Sequence, residues 1–189
     1  MKGKILFMSL LVFLAFVFSV VFTSEQVLRS DETHAQAKIK IAVLDKMPKA
    51  VCARRFRYLY PRLTRNLREA FSSDGRFELI SPGEMDRAIR DAGIEKEKID
   101  PDSTDQLREI GKRAGADVVF ISYYYEMGGH GMPMHSNNVL ILVWVDKNDV
   151  VKLDRAYSRL LSEEDLVSSD VQAFKELLSK AEPLLPQQL

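Results

Sequence analysis

Hydrophobic and polar positions change their period several times along the chain, and each change marks an element. The first pattern is unbroken. ILFMSLLVFLAFVFSVVF, residues 5–22, carries no charge and follows Lys2 and Lys4. As a helix this run would reach about 27 Å, close to the thickness of bilayer hydrocarbon. It predicts a signal peptide or an uncleaved signal anchor over residues 1–22. The two lysines ahead of it place the rest of the chain across the membrane. Residues 23–37, TSEQVLRSDETHAQA, show no apolar period and read as a polar linker.

From residue 38 the pattern alternates. KIKIAVL, residues 38–44, has the period of a strand. After Pro61 the period lengthens, and Leu63, Leu67, Ala70 and Phe71 mark one face of a helix stopped by Ser72, Ser73, Asp74 and Gly75. Residues 76–80, RFELI, form a short strand. Ser81-Pro82-Gly83-Glu84 then combines a cap, a proline suited to the first helical position and the acid of a capping box. Met85, Ala88, Ile89 and Ala92 give the buried stripe, with Gly93 as the left-handed stop. Asp100-Pro101 breaks the chain. Ser103 and Gln106 offer a second capping box for a helix carrying Leu107, Ile110 and Ala114, ended by Gly115.

DVVFISYYY, residues 117–125, begins as a continuous apolar run, the mark of a central strand buried on both faces. Residues 127–138, rich in Gly, Met and His, read as a loop. VLILVWV, residues 139–145, is a strand, Asp146-Lys147-Asn148-Asp149 a turn, and residues 150–158 its hairpin partner. A last helix is predicted over 170–181, with Val171, Phe174, Leu177, Leu178 and Ala181 on one side, ended by Pro183 and Pro186. The expectation is an α/β protein: a single compact domain over 38–182, with a mixed sheet of about five strands and about four helices, and a tail over 183–189.

Charge narrows the function. Lys plus Arg and Asp plus Glu each number 27, so the chain is neutral and bulk charge does not hold it to nucleic acid. The single cysteine, Cys52, excludes an internal disulfide framework and a multi-cysteine metal cluster. It stands far beyond the apolar run, where it is no lipid acceptor, and reads as a small buried apolar residue.

The sequence carries no G-x-S-x-G, H-E-x-x-H, P-loop or dinucleotide fingerprint, so neither an enzyme nor a cofactor is expected. Glu163, Glu164 and Asp165 suit the first turn of a helix. Tyr123, Tyr124, Tyr125 and Trp144 read as sheet packing. Two stretches stand out. Arg54, Arg55, Phe56, Arg57 and Tyr58 join guanidinium groups to aromatic area, which suits contact with an anionic partner surface. The loop 127–135 holds Met127, His130, Met132, Met134 and His135. It reads as an adaptable contact loop. The alternative is a soft-metal site with His130, Met132, Met134 and His135 as ligands, since thioether and imidazole together suit copper.

Four fragments in order carry a family resemblance: KIAVLD; GRFELISPGEMDRAI; DPDSTDQLREIGKRAGADVVFISYY; and VLILVWVDKNDVVKLDRA. Their sequence and spacing resemble the envelope α/β domain shared by the TolB N-terminal region, CsgG and LpoB-type penicillin-binding-protein activators. The shared points are Gly75-Arg76-Phe77-Glu78-Leu79-Ile80, Asp100-Pro101 and Gly115-Ala116-Asp117-Val118-Val119. The resemblance spans roughly residues 40–156. It implies a binding or assembly module of the bacterial envelope, working without bond chemistry. The chain departs from these relatives in showing no propeller, no lipid-accepting cysteine and no long alternating barrel segments. By size it is nearest to a stand-alone domain. The resulting expectation is an exported protein, periplasmic or anchored at the periplasmic face of the cytoplasmic membrane through residues 5–22. Its partner would be an envelope protein or polymer. The alternative is a small ligand- or soft-metal-binding protein of the same compartment.

Overall fold

The computed structural model describes residues 38–45, 47–48, 58–129, 132–158 and 161–185, and for 47–48, 127–129 and 132–134 the backbone alone. The expected leader over 1–22 and the linker over 23–37 lie outside the described residues, as do Arg54, Arg55, Phe56, Arg57 and His130. Among the described residues no helix is long and apolar enough to cross a membrane.

The chain runs β1 (Ile39–Val43), β2 (Met47–Pro48), α1 (Tyr60–Ser73), β3 (Phe77–Leu79), α2 (Pro82–Asp91), α3 (Thr104–Ala114), β4 (Val118–Gly129), β5 (Met132–Trp144), β6 (Val150–Tyr157) and α4 (Glu163–Ala181). The main path of the sheet is β3-β1-β4-β5-β6, with the two-residue β2 also paired to β4. β1 pairs parallel with β3 and β4, and β5 runs antiparallel between β4 and β6. This is the expected mixed α/β sheet with four helices.

Strand β4 is central, and its side chains alternate between two apolar layers. Val118 and Phe120 join Ile39, Ile41, Leu67, Phe71, Phe174 and Leu177 beneath α1 and α4. Val119, Ile121 and Tyr123 join Ala42, Met85, Ile89, Leu107 and Ile110 beneath α2 and α3. Both faces are covered, which is why the strand reads as a continuous apolar run. Phe71 is the hub of the first layer. Its ring meets those of Phe77, Phe120 and Phe174 edge to face, with centroids 5.2, 5.1 and 4.7 Å away.

The helix ends follow the sequence closely. Ser81 accepts from Glu84 N–H, and the Glu84 carboxylate accepts from Ser81 N–H, closing the expected capping box. Gly93 and Gly115 follow α2 and α3 at φ +70° and +65°, where a side chain would be strained. The second capping box forms by half. Ser103 accepts from Gln106 N–H, but the Gln106 carbonyl accepts from Asp100 N–H at 2.6 Å and so clamps the Asp100-Pro101 break.

Three expectations need correction. The strand expected over 76–80 has Phe77–Leu79 as its regular part, while Arg76 O and Ile80 N still bond to Ile39 N and Ile41 O of β1 at its two ends. The last helix begins at Glu163, not at 170, because Ser162 and Asp165 form a capping box. Its inner face carries Leu166, Ala173, Phe174, Leu177 and Ala181, while Val171 faces out at 48% exposure. The residues expected as a loop over 127–138 are largely strand: β4 extends to Gly129, β5 starts at Met132, and the two pair with a register shift between Met127 and Gly129. Their polar composition does not mark solvent. At Ser136, Asn137 and Asn138 it marks buried groups that bond to Tyr124, Asp154 and Asp170. Beyond α4 the chain stays packed as far as Leu185, which is buried.

Candidate functional site

The carboxyl ends of the parallel strands are where open α/β sheets hold their partners. Here β4 and β5 run on past the short β1 and β3 as a two-stranded ribbon. The root of that ribbon is where the candidate residues gather.

Tyr124, fully buried on β4, organises the root. Its hydroxyl donates to Glu126 Oε1 at 2.8 Å and lies 2.8 Å from Ser136 Oγ. Ser136 Oγ also accepts from Leu161 N–H at 3.1 Å. The protons then run one way: Leu161 N–H to Ser136, Ser136 to Tyr124, Tyr124 to the carboxylate. Two residues further along β5, past Asn137, Asn138 Nδ2 donates to Asp170 Oδ1 at 2.7 Å and to Ser169 Oγ at 3.3 Å. Ser169 Oγ is also bonded to the Tyr157 hydroxyl. These bonds join β4, β5, β6 and the first turns of α4, and fix the direction in which the ribbon leaves the sheet.

An apolar plug closes the root. Leu59, Tyr60, Leu63, Tyr124, Leu161 and Leu166 form one buried cluster. Burial pushes the Tyr60 hydroxyl well above the ordinary phenol range, with the charges of nearby Glu126 and Asp170 adding to the effect. The phenol is therefore neutral at any physiological pH. Just outside the plug, Tyr58 is 66% exposed, and its hydroxyl donates to Glu163 Oε2 at 2.8 Å at the start of α4.

This geometry brings together two stretches that the sequence leaves apart. Met47 and Pro48 pair with Tyr123 and Tyr124. Tyr58 to Tyr60 return to the same place through the plug. The described residues on either side of Arg54, Arg55, Phe56 and Arg57 therefore both stand at the ribbon root. Met127, three residues beyond Tyr124, stands about 10 Å along the strand and faces His135 in the register. Of the four residues considered as metal ligands, only His135 has a described side chain, and it is half-buried. Met132 and Met134 are placed by backbone alone, and His130 lies outside the described residues. Among the described residues no three His, Cys, Asp or Glu side chains converge on a metal position.

Two further polar groups sit nearby. On the opposite face Tyr123 OH donates to Asp102 Oδ1 at 2.9 Å, and Lys152 Nζ donates to the same oxygen at 2.9 Å. Burial, then Asp102, holds the Tyr123 hydroxyl above its ordinary range. At the end of β1, Arg68 donates to Val43 O and Ile80 O at 3.0 and 2.6 Å, and Lys96 bridges Asp45 and Asp86. The cavity between them is about 70 Å³, room for water rather than for a sizeable ligand.

Tyr124 was expected to pack in the sheet, and it does. The partners Glu126, Ser136, Asn138 and Asp170 escaped the sequence reading. The signal that could have found them is the near-symmetry of Tyr123-Tyr124-Tyr125-Glu126 and Ser136-Asn137-Asn138-Val139 about a Gly-rich turn, the pattern of one long hairpin.

No protein-family model and no curated protein sequence matches the chain. Among solved structures it is similar to the LpoB C-terminal domain from Salmonella enterica, at 17% identity and TM-score 0.46, over 70% of this chain and 90% of that one. It is similar to lipoprotein GNA1162 from Neisseria meningitidis, at 11% identity and TM-score 0.45, over 75% of this chain and 99% of that one. It is also similar to the hypothetical protein CT253 from Chlamydia trachomatis, at 11% identity and TM-score 0.45, over 77% and 96%.

Proposed function

We propose that the chain is an exported, non-enzymatic protein of the cell envelope that binds another envelope component at the ribbon end of its sheet. The contact surface comprises Arg54, Arg55, Phe56, Arg57 and Tyr58 together with the ribbon tip from Met127 to His135. The partner is an envelope protein or polymer that presents anionic groups, which arginine recognises bidentately. One observation carries this reading. The described residues that flank the arginine-rich segment, Pro48 before it and Tyr58 after it, both stand at the root from which the ribbon projects. The proposed surface joins these two stretches, on a base formed by the buried Tyr124, Ser136 and Asn138. The apolar run after Lys2 and Lys4 supports export.

The test is photo-crosslinking in intact cells that produce the full chain. A crosslinking residue replaces Tyr58 or His135, with Val171 on α4 as the control. Adducts of one mass are expected from Tyr58 and His135, lost when Arg54, Arg55 and Arg57 are all changed to Ala. Adducts from Val171 alone, or adducts indifferent to the triple substitution, would overturn the assignment.

A further inference from the structure

Strand β6 ends the sheet, and among the described residues no strand pairs with its outer side. Its hydrogen-bond phase follows from the turn before it. Trp144 N–H donates to Asp149 O, so Trp144 and Asp149 are a hydrogen-bonded pair. Alternation along the antiparallel register then directs the amides of Val151, Leu153 and Arg155 at β5. The N–H and C=O groups of Val150, Lys152, Asp154 and Ala156 point outward. The side chains of these same four residues are exposed on the α2/α3 face of the sheet, Lys152 to 44%.

Such an edge is a template for another strand, and charged residues usually guard it. Here the charges also select. An antiparallel strand that matches Lys-x-Asp must present Asp-x-Lys in reverse, which is this segment itself. We propose that β6 pairs antiparallel with β6 of a second copy of this chain, about a twofold axis through Leu153. Lys152 then faces Asp154 of the second copy, Asp154 faces its Lys152, and Val150 faces its Ala156. The phase supports this register, because all the facing residues direct their amides outward, for about eight backbone bonds in total. Sliding by one residue sets outward amides against inward ones. Sliding by two sets Lys152 against Lys152 or Asp154 against Asp154, which is repulsive. The contact is self-complementary and closes on itself, so it stops at two copies.

Neither charge is lost to its existing partner. Lys152 donates to Asp102, and its ammonium has three donors. Asp154 Oδ1 accepts from Asn137 Nδ2 at 3.1 Å, and a carboxylate has further lone pairs to offer.

The test uses the full chain in mild detergent under reducing conditions, followed by sedimentation equilibrium across the micromolar range. The native chain is expected to be dimeric. Lys152→Asp and Asp154→Lys each set like charges opposite one another and should weaken the dimer at least about tenfold. Mixed together, these two variants should recover a heterodimer, because every facing pair is again of opposite sign. Asp154→Lys retains the Lys152–Asp102 bond but removes the acceptor of Asn137 Nδ2, so it is the heterodimer recovered on mixing that separates loss of pairing from loss of fold. A monomeric native chain, single variants as dimeric as the native chain, or a mixture that stays monomeric would each overturn the proposal.

Discussion

The ribbon of β4 and β5 is built from one pair of strands but held by two kinds of force. In the half nearer the turn into β6, Val118 to Ile121 and Leu140 to Trp144 are all apolar and buried, with helices on both sides. In the other half, Tyr124, Glu126, Ser136 and Asn138 are just as buried, yet they bond to one another and to α4. Ser122 Oγ, buried and without a hydrogen-bond partner among the described residues, lies between the two. The first half is cohesive without direction, since apolar burial scales with area whatever the angle. The second is directional: each donor has one place to point. A strand pair that must only fill a core needs the first. One that must carry a surface beyond the core at a fixed angle needs the second.

Substitutions can break this comparison, beginning with the largest effect. Phe71→Ala removes the ring that touches three others and leaves a cavity in the dry layer. It should cost about 3–5 kcal/mol in urea unfolding, enough to endanger the fold. Tyr124→Phe keeps the ring and removes one hydroxyl, so that Glu126 and Ser136 each lose one bond. The expected cost is about 1–3 kcal/mol, large for a single oxygen, because the groups left behind stay buried. The two halves separate in a double-mutant cycle. Tyr124→Phe with Ser136→Ala should cost less than the sum of the two, by at least about 0.5 kcal/mol. Tyr124→Phe with Phe71→Ala should be nearly additive. Additivity in both cycles would mean that the hydroxyl network is not a unit.

The same division explains what could be read from the sequence. The apolar half was legible because strands and helices there announce themselves by period, and turns by Gly93, Gly115 and Asp146 to Asp149. The cap at Ser81 was legible because capping is local chemistry. The polar half was not. Ser136, Asn137 and Asn138 carry the composition of a loop, and only the facing strand and α4 turn them into buried groups. The early start of α4 was hidden for the opposite reason: Ser168, Ser169 and Asp170 interrupt its apolar stripe because two of them face Asn138 rather than a hydrophobic layer. That Pro48, Tyr58 and the start of the ribbon lie at one end depends on β2 pairing and on the Tyr60–Tyr124 contact, both long-range.

A smaller effect sharpens the picture at the start of α4, the helix that receives the bonds from Asn138. Ser162→Ala removes the oxygen that accepts from Asp165 N–H at 3.1 Å. It should cost about 1 kcal/mol. If the polar root depends on α4 being held at this end, hydrogen exchange should also quicken at Ser136 to Asn138. Ser81→Ala, a similar cap on α2, should leave that segment unchanged. Equal effects from both caps would remove any special link between α4 and the ribbon.

The smallest expected effect lies at the opposite end of the sheet, where the chain uses ion pairs instead. Arg76 donates from Nε and Nη2 to the two oxygens of Asp74, at 2.9 and 2.7 Å, and from Nη1 to Glu182 at 2.9 Å. The hydrogen bonds from Arg76 hold the Asp74 carboxyl below the ordinary carboxylate range, although its partial burial acts the other way. A carboxyl depressed in the folded state stabilises the fold above its unfolded pKa and loses that contribution as pH falls through its folded value. Asp74→Asn should therefore be less stable than the native chain at pH 7, by up to about 1 kcal/mol for a pair open to solvent on one side. The difference should shrink between about pH 5 and pH 2 as the native carboxyl takes up its proton. Urea unfolding at both ends of that window measures it. A difference that stayed constant with pH would mean that Asp74 acts through packing or backbone contacts alone, and the contrast between this clamp and the hydrogen-bonded network at the ribbon root would fall.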